Sequence, residues 1–385
     1  VYLLCVAAIG IPIMMAEIML GRRGRQSPIN TMRTLARRNG SSPAWQLLGW
    51  MGIITGVLIR SFYSVIAGWT MAYAVRAAAG VFTGIDAARA DAVFGGLVGD
   101  AERLLAWHTV FMTLCVLVVA RGVASGLEKA VRFLMPALFL LLVLMVGYAF
   151  STGDFQQTLS YLFAPDFSKL SGQAVLSAMG QAFFSLSLGM GAIMIYGSYL
   201  HSEASIGTNS VIIAGMDTLV AILAGLAIFP VVFANGMAPE QGPGLVFKVL
   251  PIAFGQMPGG VLFSTLFFVL LVFAAWTSAI SLLEPMVAWL VENLSFSRVR
   301  ASVLAGVAVW LLGIACLLSL NEWSHITLFG KGFLDLFDFV TANILLPLGG
   351  VLIAVFAGWV LSRDASVDEL DLGEGVLYRV WRALI

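Results

Sequence analysis

Charge is what this 385-residue sequence is shortest of. Asp, Glu, Lys and Arg make up 11% of it, against roughly 25% in an average soluble domain. The 21 basic residues balance the 21 acidic ones, so no nucleic-acid partner is expected. Cysteine is also scarce. Cys5, Cys115 and Cys316 lie in apolar runs without CxxC spacing, and His108, His201 and His325 form no cluster, which argues against metal or redox chemistry. No nucleophile–base pair stands in the apolar stretches, so an enzyme is not expected. There is neither an initiator Met nor a signal peptide. The chain begins with Val1 inside a hydrophobic run and stops at Ile385 at what reads as a helix start, the pattern expected of a fragment.

What fills the space is apolar. Hydrophobic residues make up 60% and mean hydropathy is +0.96. A bilayer core of about 30 Å needs about 20 such residues per helix. The runs predict an all-α polytopic membrane protein with spans near 1–21, 46–79, 105–121, 130–151, 175–200, 209–234, 260–292, 299–319 and 336–362. The loop GRRGRQSPINTMRTLARRNG holds six arginines and no acid, whereas 80–104 holds Asp86, Asp91, Asp100 and Glu102 against Arg89 and Arg103. Positive charge marks the first as cytoplasmic, as Arg121, Lys129 and Arg132 mark a later one, and Val1 then falls outside. The stretch 235–259 contains GLVFKVLPIAF, an amphipathic segment between Gly-Pro breaks. It reads either as a surface loop or as a lid over an external vestibule.

Four ionisable residues fall inside spans: Glu17, Arg60, Asp217 and Glu284. Such groups are costly in lipid and mark either function or interhelical pairing. In LVFAAWTSAISLLEP, Ala274, Thr277 and Ser278 at i, i+3 and i+4 share a helix face. Two hydroxyls and a carbonyl suit a hard cation such as sodium, although Ser and Thr in membrane helices also bond back to the preceding turn. FFSLSLGMGAIMIYGSY, residues 183–199, places Ser185, Ser187, Gly189 and Gly191 at mid-span. A helix broken there frees amides for an anion and carbonyls for a cation. Glycines for close helix packing are the competing account.

These stretches, taken in order, resemble the neurotransmitter:sodium symporter family in its bacterial amino-acid transporter branch. GIPIMMAEIMLGRRG resembles the family's second helix, SFYSVIAGWTMAYA the third, SGLEKAVRFLMPALF the fifth and GQAFFSLSLGMGAIMIYGSY the broken sixth. MDTLVAILAGLAIFP is similar to the seventh, GPGLVFKVLPIAFGQMPGG to the fourth external loop, FAAWTSAISLLEP to the eighth and LDLFDF to the tenth. The resemblance implies a leucine-transporter-like inverted repeat within a single transporter domain, 1–385. Residues 1–151 would be helices two to five, 175–362 helices six to ten, and 235–259 the external lid loop. The first helix, which builds the site together with the sixth, would be absent, leaving the fragment inactive.

The resemblance assigns roles by motif. Tyr63 and Phe184 are expected as external gates, with Phe184, Ser185 and Ser187 receiving the amino acid and Ile59, Met190, Ser278 and Leu282 lining its pocket. Ser185 and Asp217 would serve one sodium, Ala274, Thr277 and Ser278 another. Asp338 would be half of an external gate, while Ser198, Tyr199 and Glu292 would belong to an internal one. Tyr2, Gln181, Ser185 and Asp217 match chloride-site positions, and the carboxylate of Asp217 in place of the Asn of many animal members implies chloride-independent transport. Met190, adaptable in shape, favours neutral hydrophobic substrates. Arg60 departs from the family, with pairing to Glu17 or Glu284, or snorkelling into a vestibule, as its open options. Sodium-coupled symport in the cell membrane, with lipid, Na+ and an amino acid as partners and no organic cofactor, is the function implied; a proton-coupled carrier or a non-transporting sensor are the alternatives. Oligomeric state stays open.

Overall fold

The computed structural model describes residues 1–122, 128–238, 242–373 and 375–385. Ser125–Leu127 of the SGLEK motif and residues 239–241 of the 235–259 stretch lie outside the described residues. In chain order the helices are α1 (Tyr2–Gly24), α2 (Pro28–Arg38), α3 (Gln46–Ala78), α4 (Ala87–Val98), α5 (Ala101–Ala120) and α6 (Lys129–Thr152). Next come α7 (Phe155–Phe163), α8 (Gly172–Ser185), α9 (Ala192–Tyr199), α10 (Ile206–Ala234) and α11 (Leu245–Gly255). The last are α12 (Gly260–Leu294), α13 (Arg298–Leu318), α14 (Phe333–Val360), α15 (Arg363–Leu370) and α16 (Val376–Leu384).

Among the described residues, α1, α3, α5, α6, α10, α12, α13 and α14 are long and apolar enough to span a membrane. The remaining predicted span, 175–200, is two short helices, α8 and α9, with a break between them. Several loop-borne helices start on a capping side chain. Asp86 accepts from Arg89 N at 2.8 Å, Asp100 from Arg103 N at 3.0 Å, and Asp154 from Gln157 N at 2.9 Å. Such caps satisfy amides that a helix start leaves unpaired. α9, which starts inside the membrane at Gly191, has no side-chain cap.

α3 runs through the middle of the molecule against α12, α13, α2 and α5. α1 lies along α9, so closely that a Cβ on Gly21 would collide with the Met194 carbonyl oxygen, and one on Gly197 would stand 2.5 Å from that of Ile18. α10 packs on α6 and α7. Two π-helical stretches, Val6–Gly10 in α1 and Thr341–Leu345 in α14, both pack against α8 just before the break. Such one-turn widenings accompany functional sites in helices. Within 235–259, α11 is packed down on its neighbours. Phe247, Leu250 and Phe254 of α11 are buried, the Phe247 carbonyl accepts from Tyr73 at 2.9 Å, and Lys248 pairs with Asp91 of α4 at 2.8 Å.

Candidate functional site: a broken helix beside a carboxylate

The break between α8 and α9 is built by alternating left-handed residues: Ser187 (φ 56°), Gly189 (φ 77°) and Gly191 (φ 75°). Glycine enters this region at no steric cost, whereas Ser187 pays for it. Space requires glycine at 189 as well. A Cβ there would lie 2.8 Å from the Leu346 carbonyl oxygen, and Gly349 answers on α14, where a Cβ would lie 2.8 Å from the Gly189 oxygen. Leu188 N still reaches back to Phe183 O at 2.9 Å, after which helical bonding stops until Ile195 N meets Gly191 O at 3.0 Å. The Gly189 amide is taken from outside, by Glu17 Oε1 of α1 at 2.5 Å. A backbone donor freed in a membrane must be matched in this way or line a cavity.

Ser185, the last residue of α8, donates its hydroxyl to Asp217 Oδ2 of α10. The Tyr2 hydroxyl completes a cluster of three, 3.1 Å from Ser185 Oγ and 3.5 Å from Asp217 Oδ2. Ser185 and Asp217 face a cavity of about 550 Å³ that also takes in Ser187, Thr277, Ser278 and Leu282, within the usual size of small-molecule sites. From the break it extends past Tyr196 to Glu128, at the start of α6. The Tyr63 side chain lies near Ser278.

The other expected residues stand apart from this cavity. Ile59 and Met190 are buried in the packing, and Tyr63 and Phe184 are half-buried beside it. Ala274 is reached through its carbonyl, which accepts from Thr277 Oγ1 at 3.0 Å; Thr277 lines the cavity while its hydroxyl bonds back to its own helix. Gln181 is exposed one turn before Ser185, and Asp338 is exposed on α14.

The surroundings of Glu292 and Arg60 are set by the fold. Glu292 accepts from Ser27 N at 2.8 Å and Asn30 Nδ2 at 2.8 Å, capping α2, and makes no hydrogen bond with Ser198 or Tyr199. Tyr199 instead donates to Glu284 Oε1 at 2.8 Å, and Ser198 to Ile195 O at 2.6 Å. Arg60 pairs with neither Glu17 nor Glu284, because the first is bound to the break and the second to Arg298. It does not snorkel either, being fully buried.

Sequence reading gave no role to Glu17 or to Glu284, since each finds its partner only through the fold. Arg298 of α13 grips Glu284 of α12 through Nη1 at 3.0 Å and Nη2 at 2.5 Å, and its Nε donates to Val119 O of α5 at 2.9 Å. With Tyr199, this latch ties α9 to α12, α13 and α5. Arg298→Met would leave Glu284, 2% exposed, without its cation. The expected loss is about 3 kcal/mol of stability, read by thermal unfolding in detergent, against at most about 1 kcal/mol for Tyr199→Phe.

Residues 1–83 and 97–382 match the Sodium:neurotransmitter symporter family. A sodium-dependent transporter of Bacillus subtilis, YhdH, is 39% identical over 97% of this chain and 82% of its own length. One from Haemophilus influenzae is 34% identical over 99% of this chain and 85% of its own. In three dimensions the chain is similar to the crystal structure of MhsT in complex with L-phenylalanine. The TM-score is 0.92 at 39% identity, over 100% of this chain and 86% of that one. With its multiple apolar spans and broken helix, the chain is a multi-pass membrane protein and belongs to the sodium:neurotransmitter symporter family, secondary transporters rather than enzymes.

Proposed function

We propose that the full-length protein carries neutral, hydrophobic amino acids across the membrane together with sodium, by alternating access and without chloride. The observation that carries this reading is a convergence on one cavity. The Ser185–Asp217 pair, Thr277 and Ser278 line it, beside the uncapped start of α9. An amino acid needs a place for its carboxylate, which unpaired amides at a helix start supply. Sodium needs several oxygens, which Ser185 and Asp217 on one side and Ala274, Thr277 and Ser278 on the other supply. MhsT, solved with L-phenylalanine, supports a hydrophobic substrate.

In this account Ser187, Ser278 and Leu282 hold the substrate, with Ile59 and Met190 shaping the pocket from behind and Tyr63 and Phe184 closing it from outside. Asp338 acts at the external gate, and Ser198, Tyr199 and Glu292 at the internal one. Tyr2, Gln181, Ser185 and Asp217 occupy the chloride-site positions, Asp217 bringing the charge itself. Residues 1–151 and 175–362 form the two inverted halves within 1–385, with 235–259 as lid. Sodium and substrate stabilise each other when bound, and the membrane potential adds about 2.3 kcal/mol per charge at 100 mV.

Competition against labelled leucine uptake tests the substrate class. Phenylalanine, tryptophan, isoleucine and methionine are expected to compete strongly; aspartate and lysine are not. Preference for a charged amino acid would refute the reading. A second reading, proton coupling through Asp217, is favoured by one observation: that carboxylate sits at the cavity bonded to two hydroxyls.

A further inference from the structure

Arg60 of α3 is fully buried, and its Nε and Nη1 have no hydrogen-bond partner. Its Nη2 reaches the sulfur of Met112 at 3.9 Å, and it lies against the Cys115 thiol. Both sulfurs are soft, weak acceptors. A guanidinium stays charged at any physiological pH, and an ion in the low-dielectric interior is costly unless paired. No carboxylate among the described residues is paired with it. Glu17 holds the Gly189 amide, Glu284 holds Arg298 and Asp217 holds Ser185. His108 on α5 lies within electrostatic range. Its Nε2 meets the Trp310 carbonyl at 3.2 Å and so must donate to it. The ring then needs no second proton and offers Arg60 no negative charge. The seam between α3, α5 and α13 thus contains a cation without its counter-charge.

We propose that Arg60 binds a small monovalent anion of halide size, which neutralises the seam. Two open N–H groups in apolar surroundings suit a small, weakly hydrated ion; among the described residues no second Arg or Lys joins Arg60 to hold a divalent one. Met112 also lines a groove of about 260 Å³ between α5 and α13, together with Thr109, Thr113 and Trp310, and its unbranched side chain can swing aside. The site is separate from Tyr2, Gln181 and Ser185, which lie on α1 and α8. It stands independently of the transport reading, since the anion would support the packing of three helices whatever the protein carries.

The test uses the full-length protein in nanodiscs of uncharged lipid, with thermal unfolding followed at constant sodium in chloride, bromide, nitrate or gluconate. Chloride, bromide and nitrate should raise the midpoint by about 3–6 °C over gluconate and do so saturably, as a ligand of the folded state does. Arg60→Met should lose that dependence, and Cys115→Ser should keep it. Crystals grown with bromide should show its anomalous signal at the guanidinium, a readout that stands even if Arg60→Met fails to fold. Identical midpoints in gluconate and bromide with no bromide signal at Arg60 would overturn the proposal. So would a full halide effect in Arg60→Met. A halide effect absent from the wild type but gained by Cys115→Ser would also overturn it, because the thiolate would then be the counter-ion.

Discussion

Replacing Asp217 by Asn in the full-length protein is expected to lower sodium-driven uptake by about 100-fold, and added chloride is expected to restore part of it. Asp217 bonds Ser185 at the end of α8 and, with Tyr2, makes a cluster of three oxygen groups at the break. In the proposed account its charge balances the sodium beside it. A contact to a charged group is worth about 1.5–3 kcal/mol, the upper end of which is about two powers of ten in affinity. The side chains are nearly the same size, so the change isolates charge from packing. Unaltered uptake in Asp217→Asn, with a wild type already stimulated by chloride, would remove this role.

Gly21→Ala is expected to be as damaging, by a different route. The new methyl would meet the carbonyl oxygen of Met194, backbone against backbone, with no flexible side chain to yield. α1 and α9 would have to separate, and with them the Glu17–Gly189 bond that holds the break. The expected loss is about 3 kcal/mol of stability together with most of the uptake. Gly95→Ala on α4 is the control. Nothing lies within 4 Å of its Cβ, so helix propensity should leave the protein equally stable or up to about 1 kcal/mol more so. Thermal unfolding of the two variants side by side checks both. A Gly21→Ala protein as stable as Gly95→Ala would mean that α1 and α9 are not locked together.

How far the sequence could be read depended on how local the signal was. Span positions follow from runs of apolar residues: eight of the nine appear as long helices within a few residues of where hydropathy puts them, and the ninth as two short helices around the break. The break was legible because Ser187, Gly189 and Gly191 change the backbone where they stand. Asp217, Thr277 and Ser278 were legible as polar groups in apolar runs, and the fold brings them to one cavity. Pairings were not legible. Glu284 meets Arg298 fourteen residues on and Glu17 meets Gly189 172 residues on, relations set by how helices are rotated against one another. The same ignorance of rotation let Arg60 be offered two acids that face elsewhere. Glu292 caps α2 through the amide of Ser27, a bond that no helix-periodicity argument could reveal.

The measurement that tests the central claim most directly is uptake of labelled phenylalanine by the full-length protein in liposomes, with external sodium replaced by choline at constant pH. The account predicts that accumulation falls at least about tenfold, as loss of the coupling ion requires, and that an imposed proton gradient does not rescue it. Undiminished accumulation in choline, driven by the proton gradient, would contradict it.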